Sequence, residues 1–192
     1  MYRAWIKQFL RNKHGIKEKK MVIAVGQFIP RKGFDRLIRA MQYLDNNIGV
    51  YIVGGEPTQE YIKLKQLFQL ENLHFLGFKN RRELKELYLA ADVFVHPTCE
   101  DIWGLVVNEA LACGLPVVTT DCCIAGRELI VNGKNGYIIP AENENVLCGA
   151  IKDCFEGEEF MAHHALEAVK PYTIEDMAQI HISVLSCKES GE

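Results

Sequence analysis

Short apolar runs alternate with segments of helical periodicity along most of the chain. The runs at 21–27, 49–55, 73–78, 92–97, 115–121 and 136–140 are rich in branched residues and bounded by turn residues, as buried parallel strands are. Between them, apolar residues recur at helical spacing, for example over 34–44, 58–70 and 81–91. This alternation predicts an α/β fold, a Rossmann-like doubly wound parallel sheet of about six strands with helices on both faces.

The same pattern divides the chain into three parts. Residues 1–20 are expected to form a basic helix or linker, 21–170 the α/β domain, and 171–192 a helix that starts with a capping-box-like Thr173 and Asp176 and ends in a frayed tail. A chain of 192 residues is long enough for one domain with a sizeable core and too short for two ordinary ones.

Composition and charge narrow the classes of function. With 48% hydrophobic residues, 24% charged residues and a net charge of -3, the chain is an ordinary globular protein with no sign of a nucleic-acid partner. The seven cysteines are odd in number and lack paired C-x-x-C spacing, which favours a reduced, cytoplasmic compartment and no zinc site. No apolar run approaches the ~20 residues of a membrane span, and no signal peptide is visible.

The N-terminal segment carries a charge pattern of its own. Residues 1–20 contain seven Lys or Arg against Glu18 alone, and Trp5, Ile6, Phe9 and Leu10 form an apolar stripe among them. We expect this stripe to pack on the edge of the domain. The alternative is peripheral contact with an anionic membrane surface.

Two loops contain the least ordinary sequences, "GQFIPRKG" after the first strand and "TCEDIWG" after the fourth. With the common strand order 3-2-1-4-5-6, the ligand crevice lies between these two strands, so the loops should meet. Lys32, with Arg31 beside it, and the helix N-terminus at Gly104 would then face each other and could hold a diphosphate. The plain alternative is that both cations are solvated surface charges.

Glu109 lies within an apolar helix at 105–112, where a buried carboxylate without a partner is costly. Carboxylates accept hydrogen bonds from vicinal hydroxyls, as the acidic residue of dinucleotide sites does with ribose. A nucleotide diphosphate would therefore account for Glu109. The alternative is a narrow polar strip that Glu109 shares with Asn108.

Pieces in order along the chain carry a family resemblance: "VGQFIPRKGFDRLIRAM", "YIVGGEP", "LHFLGF", "LKELYLAADVFVHPT", "EDIWGLVVNEALACGLPVVTTD" and "VNGKNGYIIP". They resemble the C-terminal, donor-binding half of retaining glycosyltransferases of family four, which have the two-domain GT-B fold. The variant "EDIWGLVVNEA" is similar to that of bacterial capsular and surface-polysaccharide enzymes.

The resemblance implies roles for individual residues. The family signature of two acids separated by seven residues falls on Asp101 and Glu109, which with Lys32 form the expected catalytic set. The expected donor-binding set is Gly26, Gln27, Arg31, Lys32, Gly33, Gly77, Phe78, Ile102, Trp103, Gly104, Leu105 and Glu109. Two positions depart from the family: Gln27 stands where Arg is usual, and Asp101 where Glu is usual.

The resemblance also implies a reaction and its partners. The donor is a nucleoside diphosphate sugar, most often of uridine, and the acceptor is a glycan or a lipid-linked glycan, with no metal cofactor. The family's N-terminal acceptor domain has no counterpart in these residues, so we expect it in cis or in trans.

Some alternatives remain. They are a non-catalytic nucleotide-sugar-binding module, one half of a split enzyme, and a nucleotide-sugar epimerase of the same fold. Asp101 could be only a helix N-cap, and Trp103 could be a lid on the core. We expect His96 to be a packing residue, and His163 and His164 to be solvated.

Overall fold

A parallel sheet lies at the centre of the molecule. The computed structural model describes residues 2–187, and side chains from residue 3 to residue 186. Within this range the strands are β1 (Lys20–Val25), β2 (Ile48–Val53), β3 (Leu73–Phe75), β4 (Val93–His96), β5 (Val117–Thr120) and β6 (Gly136–Ile139). All neighbours pair in parallel, in the order β3-β2-β1-β4-β5-β6. The predicted fold class and strand order are confirmed.

Helices cover both faces of the sheet. They are α1 (Tyr2–His14), α2 (Phe34–Ala40), α3 (Gln59–Leu67), α4 (Arg81–Ala90), α5 (Leu105–Ala112), α6 (Ile124–Leu129), α7 (Glu144–Glu156), α8 (Glu158–Val169) and α9 (Ile174–Cys187). Val22 and Ala24 of β1 belong to the core beneath α2, α3 and α7. Met21, Ile23 and Val25 belong to the core beneath α1, α4, α5, α6 and α8. Since both faces are covered, the strands appear in sequence as continuous apolar runs.

The strands end earlier than the apolar runs that predicted them. The run at 73–78 contributes only Leu73–Phe75 to the sheet, and Phe78 beyond it is 84% exposed. After this loop, α4 begins with a capping box that the sequence analysis missed. Asn80 Oδ1 accepts from the Glu83 amide, and Glu83 Oε2 accepts from the Asn80 amide.

Helix α1 packs on the domain, chiefly against α4. Leu10 is buried, whereas Trp5 and Phe9 stack on each other and remain 64% and 56% exposed. The apolar stripe of the N-terminal segment is therefore divided between the core and the surface. Membrane contact by the exposed pair stays a prediction.

Buried charges tie α1 to the amino end of the sheet. Lys7 Nζ lies 2.8 Å from Asp92 Oδ1, and Arg11 Nη2 lies 2.5 Å from Asp92 Oδ2. The Met21 amide also donates to Asp92 Oδ2 at 2.6 Å. Burial would raise the pKa of Asp92, but the positive charges of Lys7 and Arg11 outweigh it and hold that pKa below its ordinary value.

Helix α9 differs from the other helices, because every side chain described in it is exposed to solvent. Its apolar residues include Ile174, Met177 and Ile180. No helix within residues 2–187 is long and apolar enough to cross a membrane. The frayed tail was predicted for 187–192. Cys187 is the last residue of α9, and 188–192 lie outside the described residues.

Candidate functional site

The loops after β1 and β4 meet at the carboxyl edge of the sheet, as the strand order requires. The carbonyl oxygen of Arg31 accepts two hydrogen bonds from the β4 loop, at 2.8 Å from Thr98 Oγ1 and at 2.7 Å from the Cys99 amide. At Gly33 a Cβ would lie 2.0 Å from the carbonyl oxygen of Pro97, and its φ of 65° also favours glycine. The contact between the loops thus excludes any side chain at Gly33.

The loop after β1 places Lys32 over the crevice. Pro30–Lys32 form a single 3-10 turn that ends at Gly33, whose amide donates to the Pro30 carbonyl at 3.0 Å. Lys32 Nζ lies 2.5 Å from Asp101 Oδ2, so this ion pair bridges the two loops. The predicted cation and the first predicted acid are therefore in direct contact.

His96 is the second partner of Asp101. Its Nε2 lies 2.8 Å from the same oxygen, Asp101 Oδ2, that contacts Lys32. Within residues 3–186, no hydrogen bond is seen at Asp101 Oδ1. Side-chain exposure is 13% for Lys32, 14% for Asp101 and 0% for His96, so the three groups form a partly enclosed cluster with His96 at its buried end.

The cluster holds defined charges at neutral pH. Burial lowers the pKa of His96 to about 4, although the hydrogen bond to Asp101 acts in the opposite direction. Burial would raise the pKa of Asp101, but the hydrogen bonds from Lys32 and His96 outweigh it and lower that pKa. Near pH 7 the cluster consequently contains a neutral imidazole and an ionised carboxylate.

Asp101 and Gly104 lead into α5. The Asp101 backbone bridges to Cys123, with its amide 3.2 Å from the Cys122 carbonyl. Gly104 is the N-cap of α5, has a φ of 94°, and would place a Cβ 2.9 Å from Cys123 Sγ. Ile102 and Leu105 on either side are exposed. The backbone at Asp101 and Gly104 is thus held against Cys122 and Cys123. The first turn of α5 lies between exposed side chains, and its amides could bind an anion there.

Glu109 lies on the outer strip of α5. It is exposed together with Leu105 and Ala112, and its Oε2 accepts a hydrogen bond of 3.1 Å from the Tyr88 hydroxyl. The premise that this carboxylate is buried is therefore wrong, because Glu109 reaches solvent as the alternative of a polar strip proposed. Its contact with a ribose stays a prediction. Beside it, Trp103 Nε1 donates to Asn108 Oδ1 at 2.9 Å, so Trp103 is held against the helix.

The remaining predicted residues lie around this edge. The Gly77 carbonyl accepts from the Gly54 amide at 3.1 Å, and a Cβ at Gly54 would lie 2.0 Å from the Gly26 carbonyl oxygen. The loops after β1, β2 and β3 are therefore adjacent, with the exposed Phe78 at their outer end. Gln27 is exposed.

The side-chain contacts of Arg31 and His96 were not foreseen from the sequence, and the donor-binding role of Arg31 stays a prediction. Arg31 points to the β4 loop, where its Nη1 lies 3.2 Å from the Glu100 carbonyl oxygen, and does not join Lys32 and Asp101. His96 was expected to serve packing alone, and its bond to Asp101 was missed. The sequence did contain a sign of this bond: His96 ends a buried strand, and Asp101 follows it by five positions in the next loop.

Three features of the edge bear on its chemistry. The ammonium of Lys32, the carboxylate of Asp101 and the N-terminus of α5 lie at the ligand-binding end of a doubly wound sheet, and Glu109 is on the same helix. Fixed positive groups of this kind stabilise a phosphate leaving group. Within residues 3–186, no group of three or more His, Cys, Asp and Glu side chains is placed to hold a metal ion.

The chain is similar in sequence to known sugar transferases. The lipopolysaccharide glucosyltransferase WaaG of Escherichia coli K12 is 36% identical over 123 residues, which cover 61% of this chain and 32% of WaaG. A GDP-mannose-dependent phosphatidylinositol monomannoside mannosyltransferase of Mycolicibacterium smegmatis is 32% identical over 162 residues, 75% of this chain and 41% of that protein. The chain thus spans about a third to a half of the length of these relatives.

Solved structures agree with the sequence relatives. HepE from Anabaena, crystallised in complex with UDP, superposes with a TM-score of 0.86 at 25% identity, over 95% of this chain and 52% of HepE. The WaaG crystal structure superposes with a TM-score of 0.73 at 28% identity, over 86% of this chain and 46% of WaaG. The family profile "Glycosyl transferases group 1" matches residues 6–172. The chain belongs to the group 1 glycosyltransferases.

Proposed function

We propose that the chain is the donor-binding part of a retaining glycosyltransferase of family four, which transfers a sugar from a nucleoside diphosphate to a glycan or lipid-linked acceptor. The observation that carries this proposal is the meeting of Lys32, Asp101 and the N-terminus of α5 at the carboxyl edge between β1 and β4. Membership in the group 1 family supports it.

Uridine diphosphate is the nucleotide we propose for the donor. HepE, which shares the fold over nearly the whole chain, was crystallised with UDP and with UDP-glucose. In the proposed complex the diphosphate lies between Lys32 and the first turn of α5, and Glu109 accepts from the ribose hydroxyls. Glu109 is exposed on the same helix, so a nucleotide can reach it without rearrangement of the core.

Departure of the diphosphate is the step that these residues would assist. As the bond between the sugar and the phosphate breaks, negative charge grows on the leaving oxygen, and the Lys32 ammonium and the α5 amides would stabilise it. We propose that these fixed positive groups replace a metal ion. Asp101, next to Lys32, would accept hydrogen bonds from the sugar hydroxyls.

Transfer would need a second domain. The relatives are two to three times longer than the part this chain matches, and we propose that an acceptor domain, in cis or in trans, closes the crevice over the donor. Capsular or surface polysaccharide is the proposed product, made at the inner face of the plasma membrane. The exposed Trp5 and Phe9 are candidates for a peripheral contact there.

Calorimetry of the purified chain with UDP, in the presence of a metal chelator, tests the central claim. We expect binding without added metal, together with stabilisation against heat that grows with the UDP concentration. No heat and no stabilisation, with or without magnesium, would refute the proposal. Transfer to an acceptor should be absent, since one wall of the cleft is missing. Robust transfer by the 192-residue chain would contradict the proposal that a second domain binds the acceptor.

Glu109→Gln tests the ribose contact. Loss of the charged acceptor should weaken UDP binding by about 1–3 kcal/mol. Tyr88→Phe removes the protein hydrogen-bond partner of Glu109 but leaves its carboxylate in place, so it serves as the matched control with UDP affinity nearly unchanged. Unchanged affinity in Glu109→Gln together with a lower melting temperature would mean that Glu109 is structural.

A further inference from the structure

His96 contacts the predicted acid but was not part of the predicted site. Its imidazole is fully buried at the carboxyl end of β4, stacked near Phe94 with ring centroids 6.1 Å apart. Because Asp101 is ionised, it can only accept, so His96 Nε2 must carry the proton of their 2.8 Å hydrogen bond. The other nitrogen, Nδ1, is buried and has no hydrogen-bond partner within residues 3–186. The ring thus makes a single polar side-chain contact, and that contact is Asp101.

The shared oxygen explains why this contact matters. Lys32 and His96 both bind Asp101 Oδ2, one through a flexible ammonium and the other through a rigid buried ring. A diphosphate in the crevice would compete for the ammonium of Lys32. When Lys32 turns to the phosphates, the His96 proton remains at Asp101 Oδ2.

We propose that His96 is a positioning residue, whose Nε2–H keeps Asp101 ionised and in place after the diphosphate has drawn Lys32 away. This inference rests on the proposed function, since it presumes that a nucleoside diphosphate binds at Lys32. Without His96, the carboxylate would be left beside a multiply charged phosphate with no donor at Oδ2. It would then turn away or take up a proton, and Oδ1, which faces no donor in the described chain, would lose its fixed direction.

The free and UDP-bound states of the chain should differ in how much they depend on His96. In the free chain Lys32 still pairs with Asp101, so the pKa of that carboxyl should stay below its ordinary value even in His96→Leu. In the UDP complex the pKa should stay low in the wild type and rise by about one unit or more in His96→Leu. Among the described residues, Arg31 from the β1 loop acts on His96, and Cys123 from the β5 loop lies within the field of Asp101. Both groups are present in the wild type and in His96→Leu, so they do not account for a difference between them.

Carbon-detected NMR of the Asp101 carboxyl across a pH titration measures this directly, with and without saturating UDP. The Asp101→Asn chain, which lacks the signal, assigns it. His96→Gln, whose amide nitrogen can stand in for Nε2, should restore the low pKa in the UDP complex. If His96→Leu does not fold, His96→Asn, which places its amide at the Nδ1 position, removes the Nε2 donor instead.

The outcomes separate the two proposals. A wild-type chain that does not bind UDP refutes the proposed function and this inference with it. A chain that binds UDP but shows the same Asp101 pKa in the wild-type and His96→Leu complexes refutes the role of His96 alone. A folded His96→Leu chain that no longer binds UDP also overturns it, because the diphosphate is assigned to Lys32.

Discussion

Two aspartates at opposite ends of the sheet show how similar ion clusters can differ in purpose. Asp92, at the amino end, has both oxygens occupied, by Lys7 on Oδ1 and by Arg11 and the Met21 amide on Oδ2. Asp101, at the carboxyl end, receives Lys32 and His96 on one oxygen, and within the described residues the other has no donor. The first cluster is complete within the chain. The second has a partly exposed cation and, at Asp101 Oδ1, an acceptor without a donor in the described residues, and a ligand could use both.

The largest expected effect is a loss of stability when the cluster at Asp92 is changed. Asp92→Asn leaves Arg11 facing a neutral amide in a buried place, whereas Lys7 keeps its second partner Glu158. The chain should still lose about 3 kcal/mol of unfolding free energy, because the buried Arg11 charge loses its carboxylate. Urea unfolding measures this loss. Glu128→Gln in α6 removes an exposed carboxylate and is the control, with no change in the unfolding midpoint expected. An Asp92→Asn chain as stable as the wild type would show that the cluster does not support the fold.

The same aspartate should shape the response to acid. Its folded-state pKa lies below the unfolded value, which is near 4, so its contribution to stability is fully present above that value. The contribution is lost as the pH falls from about 4 through the lower folded-state pKa. Urea unfolding at a series of pH values should therefore give a flatter acid limb for Asp92→Asn than for the wild type. Equal slopes would contradict this assignment.

In the cluster of Lys32, His96 and Asp101, the main expected effect is a change in UDP affinity. Lys32→Met should weaken UDP binding by about 1.5–3 kcal/mol, because a charged hydrogen bond to phosphate is lost. Calorimetry gives the affinity, and Lys63→Met, at an exposed lysine of α3, is the control for loss of one positive charge. If both variants bind UDP equally well, Lys32 is a surface charge and the comparison between the two ends fails.

The smallest expected effect is a gain in UDP affinity rather than a loss. Asp101→Asn removes the carboxylate that competes with phosphate for Lys32, so UDP should bind more tightly, by about 0.5–1 kcal/mol. Glu100→Gln, one residue earlier, removes the same charge from an exposed side chain without contact to Lys32 and should change affinity less. Weaker UDP binding in Asp101→Asn would mean that the ion pair helps to shape the phosphate site rather than competing with it.

The sequence was sufficient for the fold and for the meeting of the two loops. Strands covered on both faces leave apolar runs that are hard to mistake, and the strand order follows from the usual winding of such folds. The ends of the strands were less certain, because residues such as Phe78 continue an apolar run after pairing has stopped. The hydrophobic pattern marks residues that are apolar, whether or not they are buried, and hydrogen bonding between strands decides where a strand ends.

The side-chain contacts of the site could not be predicted in the same way. Lys32 and Asp101 are far apart in the chain, and neither loop sequence indicates that their side chains form an ion pair. Glu109 was expected to be buried because its neighbours are apolar, yet α5 leaves Leu105 and Glu109 on an open strip. Packing on one side of a short helix is a tertiary property, and the composition of the helix does not reveal which side is open.

The exposed helix α9 has a consequence for how unfolding is observed. A helix of 14 residues without burial is marginally stable in water, so its helix–coil transition should be separate from the cooperative unfolding of the domain. Circular dichroism in the far ultraviolet reports both transitions. The fluorescence of Trp5 and Trp103 reports mainly the domain, because neither residue is part of α9, although Trp103 lies beside Tyr172 just before it. The two probes should therefore give melting curves that do not coincide, even when the domain itself unfolds in a single step as small domains usually do.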